Sequence, residues 1–169
     1  MTPVFYEGKI QGKGLSIAIV ASRFNDLIGK RLVNGALEIL RVHGVQAKGI
    51  EVAWVPGAWE IPVVARALAH TGKFQGIITL GAIIQGETTH HEYLAKEVSA
   101  SLARLTEETG MPVAFGILTT GSLDQALSRA GERESNKGAE AAFHLLETLS
   151  VLGQIGPRRG GKKKKTGRK

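Results

Sequence analysis

The chain has 169 residues, a formal net charge of +7, 43% hydrophobic residues and no cysteine. A chain of this length is expected to form one domain with its own core, and without cysteine it has neither a disulfide framework nor thiol chemistry. No charge-free apolar run reaches the roughly 18 residues that a membrane span needs, and the N-terminal residues lack the basic-then-apolar pattern of a signal peptide. A cytoplasmic protein is therefore predicted.

Apolar runs alternate with segments of helical spacing along the chain. Residues 1–14 are rich in glycine and are predicted to form an N-terminal arm or an edge strand. Strands are predicted after this segment at residues 15–21, 48–55, 76–84 and 112–119. Amphipathic spacing and glycine stops predict helices at about residues 27–43, 61–70, 91–109, 123–130 and 136–151.

This alternation of strands and helices is typical of an α/β fold. Crossovers of helix length join parallel strands and cover both faces of the sheet. Residues 15–156 are therefore predicted to form a single-domain, flavodoxin-like three-layer sandwich. Its four-stranded parallel sheet is predicted to have the strand order 2-1-3-4, with helices on both faces.

The positive charge is concentrated at the C-terminus. Residues 158–169 hold eight basic residues and no acidic residue, whereas the rest of the chain holds 14 basic and 15 acidic residues. Residues 157–169 are therefore predicted to be a disordered basic tail. A solvated tail that aids solubility is the favoured interpretation, and weak, salt-sensitive polyanion binding is the alternative.

The third predicted strand leads into the most informative part of the sequence. The uncharged run of residues 76–84 indicates a strand that is buried on both faces, and the turn Gly86-Glu87-Thr88-Thr89 then opens a helix at the histidine pair. Free N–H groups and the helix dipole can bind an anion there, although most such turns only cap a helix. The sequence lacks a Walker A motif, so nucleotide triphosphate hydrolysis is not indicated.

Loops that follow parallel strands converge on one edge of the sheet, where open α/β sheets bind ligands. Phe24 and Trp59 could offer a stacking surface for a flat ring, or pack within their loops. Glu60 could bind hydroxyl groups or cap its helix. His90 could act as a general acid or base, or lie at the surface. The spacing of the histidine pair does not favour a metal site. These residues indicate a planar, phosphate-bearing or hydroxyl-rich ligand, without defining the reaction.

Five blocks, in order and at family spacing, resemble the lumazine synthase family. They are Ser22-Arg23-Phe24-Asn25, residues 55–62 (Val-Pro-Gly-Ala-Trp-Glu-Ile-Pro), residues 81–90 (Gly-Ala-Ile-Ile-Gln-Gly-Glu-Thr-Thr-His), residues 112–120 (Pro-Val-Ala-Phe-Gly-Ile-Leu-Thr-Thr), and Arg129-Ala130-Gly131 followed by Asn136-Lys137-Gly138-Ala139-Glu140. The resemblance implies the reaction that joins 5-amino-6-ribitylaminouracil to 3,4-dihydroxy-2-butanone 4-phosphate. The product is 6,7-dimethyl-8-ribityllumazine in riboflavin biosynthesis, and phosphate and water are released. It also implies that neither a metal nor an organic cofactor is needed.

The resemblance further implies a role for individual residues, with His90 moving protons as the catalytic residue. The implied substrate-binding residues are Phe24, Gly57, Ala58, Trp59, Glu60, Ile83, Ile84, Gly86, Glu87, Thr88, Phe115, Arg129 and Lys137. Among them, Phe24 would stack on the pyrimidine ring and residues 86–88 would bind the phosphate, with Arg129 as counter-charge. Lys137 would contact the pyrimidine edge. Phe115, Arg129 and Lys137 would complete the pocket across a subunit interface of a homo-pentamer.

Three departures from the family pattern lie near this site. Gln85 and Glu87 stand where arginine and a small residue are common, which predicts weaker phosphate binding unless Glu87 points away. Trp59 replaces a usual phenylalanine. Residues 131–135 lack the Gly/Lys-rich sequence common in members that form icosahedral shells. Pentamers are therefore expected, with or without further assembly into a shell.

Two rival functions follow from the same resemblance. One is a non-catalytic flavin- or lumazine-binding shell protein. The other is an archaeal-type riboflavin synthase, which is similar in fold, although the blocks at residues 88–90 and 136–140 favour lumazine synthase.

Overall fold

The computed structural model describes residues 2–131 and 135–156. Four parallel strands form one sheet: β1 (Ile17–Ser22), β2 (Ile50–Val55), β3 (Gly76–Ile84) and β4 (Val113–Thr120). Their order in the sheet is β2-β1-β3-β4, which confirms the predicted order. The bounds of β3 match the prediction, and β2 begins later than predicted because residues 47–49 form a 3-10 turn.

Five α-helices connect and follow the strands: α1 (Asp26–Val42), α2 (Ile61–His70), α3 (His90–Thr109), α4 (Leu123–Arg129) and α5 (Lys137–Ile155). All five were predicted, and α5 extends four residues further than the sequence indicated. Glycine ends α3, where Gly110 has a φ of 68°. In the part of the chain that the structure describes, no helix has the length and apolarity to cross a bilayer.

Two apolar cores lie on opposite sides of the sheet, which makes the predicted three layers. Ile19 of β1 packs with Leu32 of α1 and Leu146 of α5. On the other face, the core contains Ile61 of α2 and Leu102 of α3. The central strand β3 is covered by both layers, so its uncharged sequence follows from burial on both faces.

Residues 2–16 contain no strand in the structure and lie against the α1–α5 side. The Lys9 N–H donates to Ser150 Oγ at 2.9 Å, and the Gly12 N–H donates to the His43 carbonyl at 2.7 Å. The side chains of residues 4–6 remain exposed. The predicted limits of the domain, at residues 14 and 157, stay predictions, and residues 132–134 of the joint and the basic tail from residue 157 lie outside the described residues.

Candidate active site

A cavity of about 780 Å³ lies at the carboxyl ends of the strands. Its walls come from the β1–α1 connection, the turn before α2, the end of β3 and the first two turns of α3. The lining residues are Phe24, Gly57, Ala58, Trp59, Ala82, Ile83, Ile84, Gly86, Thr88, His90, His91, Tyr93, Leu94 and Glu97. This is the edge at which a parallel sheet presents its loops to a ligand.

Three exposed aromatic rings, those of Phe24, Trp59 and Tyr93, line this cavity. Phe24 is 69% exposed and Trp59 is 63% exposed, so neither ring is used to pack its own loop. The backbone next to Phe24 is held firmly, because the Arg23 N–H donates to the Val55 carbonyl at 2.8 Å and the Phe24 N–H donates to the Pro56 carbonyl at 3.0 Å. An exposed ring on a fixed backbone can stack on a planar ligand at a low cost in entropy.

The turn before α2 places Trp59 through a local hydrogen bond. The Gly57 N–H donates to Glu60 Oε2 at 2.8 Å across a 3-10 turn. This contact uses the Glu60 carboxylate to fix the turn, and Glu60 is absent from the cavity lining. The structure therefore gives Glu60 the capping position, while its backbone neighbours Gly57, Ala58 and Trp59 reach the cavity.

The turn between β3 and α3 supplies the polar part of the cavity. Gly86 and Thr88 line it, whereas Glu87 is exposed and lies outside the lining. The N–H groups of His90 and His91 have no partner within α3, whereas the Glu92 N–H donates to the Thr89 carbonyl at 3.0 Å. The helix dipole adds positive potential at the same end. An anion of phosphate size fits this combination.

His90 is the first residue of α3 and lines the cavity. Among the described residues, its ring has no hydrogen-bond or ion-pair partner, so it is available to a ligand. The neighbouring His91 ring is engaged locally, with Nδ1 at 3.2 Å from the Thr88 carbonyl oxygen. The described residues contain no group of three or more potential ligands that could hold a metal ion.

Sequence reasoning missed Ala82, His91, Tyr93, Leu94 and Glu97 of the lining. Three of them share a helical face with His90, at positions i+3, i+4 and i+7. Once α3 was predicted and His90 was placed at the ligand, that spacing could have identified them. Among the residues that the structure describes, Glu97 is also the only one with a carboxylate in the lining.

Phe115, Arg129 and Lys137 are not brought to this cavity within one chain. They line a separate depression of about 230 Å³ beside β4, together with His144. The Arg129 guanidinium donates to the Gln125 carbonyl at 3.1 Å, and Lys137 pairs with Glu140. The predicted site residues therefore fall into two groups on the surface of a single chain.

An apolar cavity with three exposed aromatic rings, a helix N-terminus and an accessible histidine at the strand ends is typical of an α/β enzyme. The family described as 6,7-dimethyl-8-ribityllumazine synthase has a model that matches residues 14–153. The chain belongs to this family.

Similar proteins have the same family name. The 6,7-dimethyl-8-ribityllumazine synthase of Nitratidesulfovibrio vulgaris strain DP4 is 48% identical over 149 residues, which cover 88% of this chain and 96% of the relative. The protein of the same description from the Hildenborough strain has the same identity and coverage.

Proposed function

We propose that this protein condenses 5-amino-6-ribitylaminouracil with 3,4-dihydroxy-2-butanone 4-phosphate in the cavity at the ends of β1 to β3. The observation that carries the proposal is the joint placement of Phe24, Trp59 and His90 around one cavity that ends at the Gly86–Thr88 turn. Membership of the synthase family supports the same reaction. The product is 6,7-dimethyl-8-ribityllumazine, an intermediate of riboflavin biosynthesis.

Binding follows from the two ends of the cavity. The pyrimidine ring stacks on Phe24, with Ile83 and Ile84 as the apolar wall below it. The phosphate of the second substrate binds at Gly86 and Thr88, where the N–H groups and the dipole of α3 stabilise an anion. Both substrates are then held with their reacting groups adjacent. Such positioning can supply roughly 7–11 kcal/mol of the barrier in favourable cases.

His90 moves the protons that the condensation requires. The aromatic amine attacks the ketone carbonyl, and loss of water gives an imine. Removal of a carbon-bound proton then allows phosphate to leave. The enol left by this elimination takes up a proton at its terminal carbon and becomes a ketone. The ribityl-bearing nitrogen attacks this new carbonyl to close the second ring, and a second water is lost. In each step His90 accepts or returns a proton close to the reacting atoms.

A second copy of the chain completes the site in this proposal. Phe115, Arg129 and Lys137 lie in their own depression, where they can meet the cavity of a neighbouring subunit. The exposed Phe115 ring, at 47%, supports such a contact. Arg129 then neutralises the phosphate and Lys137 contacts the pyrimidine edge. A homo-pentamer is the proposed assembly, and the family resemblance supports it.

One assay tests this function against its rivals. The pure protein is incubated with both substrates while lumazine absorbance and free phosphate are followed. Formation of product and phosphate in equal amounts, well above the uncatalysed rate, is expected. Flavin binding without product would favour the non-catalytic binding protein. Consumption of lumazine to give riboflavin would favour riboflavin synthase.

We further propose that the basic tail, for which a role in solubility is the favoured interpretation, also binds polyanions weakly, since residues 158–169 carry eight basic residues on an otherwise near-neutral chain. The helix before the tail begins at Lys137, in the depression of the second site half. Its 19 residues span about 28 Å, so residue 156 lies far along the molecule from Lys137. The basic residues therefore follow the end of α5 that lies away from this depression.

Electrophoretic mobility shift of duplex DNA tests the tail, using the full chain and a variant that ends at Gly156. The full chain alone is expected to shift the DNA, and the shifted fraction is expected to decrease steeply as the salt concentration rises. A shift of the DNA that does not depend on salt would contradict the proposal. An equal shift by the shortened variant would contradict it as well.

A further inference from the structure

The connection between β1 and α1 contains an unusual backbone conformation. Three residues, Arg23 to Asn25, join Ser22 of the strand to Asp26 of the helix. Asn25 has φ 60° and ψ 55°, in the left-handed region. Among the residues that the structure describes, Asn25 is the only one other than glycine with a positive φ. L-residues other than glycine avoid this region, although asparagine tolerates it better than most.

Both ends of this connection are fixed by close contacts. On one side, Arg23 and Phe24 donate to the carbonyls that follow β2. On the other side, the Asn25 carbonyl accepts hydrogen bonds from the N–H groups of Ile28 at 2.9 Å and Gly29 at 3.1 Å. The first turn of α1 also lies directly on the end of β1, since a Cβ added at Gly29 would be 2.7 Å from the Ser22 carbonyl oxygen. The left-handed conformation of Asn25 allows three residues to connect β1 to α1.

The side chain of Asn25 does not perform the usual task of its position. An asparagine at a helix N-cap normally has an extended backbone and accepts a hydrogen bond from the next turn, as Asn136 does from Gly138 and Ala139. Asn25 makes no such bond, and its buried Nδ2 has no partner among the described residues. Helix capping by the side chain therefore does not explain why asparagine stands at position 25. A backbone in a sparsely populated region beside a ligand site is grounds for a functional hypothesis.

We propose that Asn25 is a positioning residue that holds the Phe24 ring at the cavity through its left-handed backbone. Phe24 is directly before Asn25, lines the cavity and is largely exposed, so the packing of its own ring does not fix its direction. The turn at Asn25 sets that direction while Ile28 enters the core at 1% exposure. The inference rests on the proposed function, in which Phe24 stacks on the pyrimidine.

Substitution of Asn25 by glycine and by alanine distinguishes the effect of its backbone conformation from the effect of its side chain. Asn25→Gly keeps the left-handed conformation without a Cβ penalty, so the KM for the pyrimidine substrate is expected to stay within about twofold of the wild type. Asn25→Ala is expected to populate other turn conformations. The fraction of molecules that hold Phe24 in position to bind the pyrimidine substrate therefore falls. The pyrimidine KM is then expected to rise by about fivefold, with the KM of the phosphate substrate unchanged.

A double-mutant cycle tests whether the effect passes through Phe24. In a Phe24→Ala background, Asn25→Ala is expected to cause no further rise in the pyrimidine KM, because the ring that it positions is gone. Equal losses for the glycine and alanine variants would overturn the proposal, since they would show that the amide itself acts. Additive effects of Phe24→Ala and Asn25→Ala would overturn it as well.

The readout also separates this inference from the proposed function. Binding of 5-amino-6-ribitylaminouracil is measured in parallel by quenching of tryptophan fluorescence, with Trp59 in the cavity. If the wild type binds the pyrimidine but forms no lumazine, the proposed function fails while the same cycle on Kd still tests Asn25. If the cycle fails in a wild type that turns over, only the role of Asn25 is wrong.

Discussion

Individual side chains at the strand ends divide the work of the site between them. Phe24 and Trp59 present ring surfaces, the Gly86–Thr88 turn lies at the N-terminus of α3, and the His90 ring has no partner among the described residues. Glu60, by contrast, uses its carboxylate on the backbone of its own turn. The proposed chemistry therefore depends on one titratable group and on the positions of several uncharged ones.

His90→Ala is expected to lower kcat by about 100-fold or less without abolishing turnover. Positioning of the two substrates would remain, because Phe24 and the phosphate turn are unchanged. Steady-state lumazine absorbance measures the effect, with His70→Ala as a control, since the His70 ring is held by the Arg66 carbonyl at the end of α2. Complete inactivity of a folded His90→Ala protein would contradict the positioning argument.

Glu87→Gln is expected to change the KM of the phosphate substrate by about threefold or less, and only at low salt, because the carboxylate is exposed and lies outside the cavity lining. Glu107→Gln, which removes the same charge near the other end of α3, is the matched control. A large decrease of KM that persists at high salt would show that Glu87 faces the phosphate.

The residues near Glu87 show where sequence reasoning reached its limit. The charge change at Gln85 and Glu87 was visible in the sequence, but the direction of the side chains was not. The backbone of Gln85 donates to the Thr120 carbonyl at 2.8 Å, and its side chain lies beside Gly121. Exposed side chains in a turn take directions that depend on tertiary contacts, which periodicity does not encode.

Whole elements were easier to predict than side-chain directions. The parallel direction of the strands followed from crossovers of helix length. The position of β3 followed from its uncharged run, which reflects burial on two faces. The strand order was a guess based on a flavodoxin-like fold, and the structure has that order. The errors lie at the ends, where β2 begins after a 3-10 turn and α5 continues to Ile155. Element ends are set by local hydrogen bonds that compete closely, so composition alone does not locate them.

The contact between α1 and α5 depends on the absence of a side chain at Gly138. A Cβ there would overlap the carbonyl oxygen of Leu32. Gly138→Ala is therefore expected to lower the free energy of unfolding by about 1–3 kcal/mol, even though alanine is the better helix former. Thermal melting at a fixed protein concentration measures the change.

Gly153→Ala provides the control within the same helix. No heavy atom lies within 4 Å of a Cβ built at Gly153, so alanine is expected to stabilise the protein by about 0.5–1 kcal/mol. Equal melting temperatures for the two alanine variants would contradict the close contact at Gly138.

On the molecule as a whole, the predicted site residues lie mainly in two separate places, the cavity and the depression beside β4. Sequence order placed both groups of residues at strand ends or after β4, but it could not show that Phe115, Arg129 and Lys137 lie in a depression away from the cavity. That separation is a property of the folded surface. It leads to the central claim, which is that a cavity on one chain and a depression on a second chain together form the active site.

Subunit complementation tests this claim most directly. One chain carries Phe24→Ala with His90→Ala, and the other carries Arg129→Ala. The two are produced together and compared with each alone. If the halves come from different subunits, about a quarter of the sites in randomly mixed oligomers receive both intact halves, and activity rises above that of either variant. Activity equal to the mean of the separate variants, in oligomers shown to be mixed, would contradict the account.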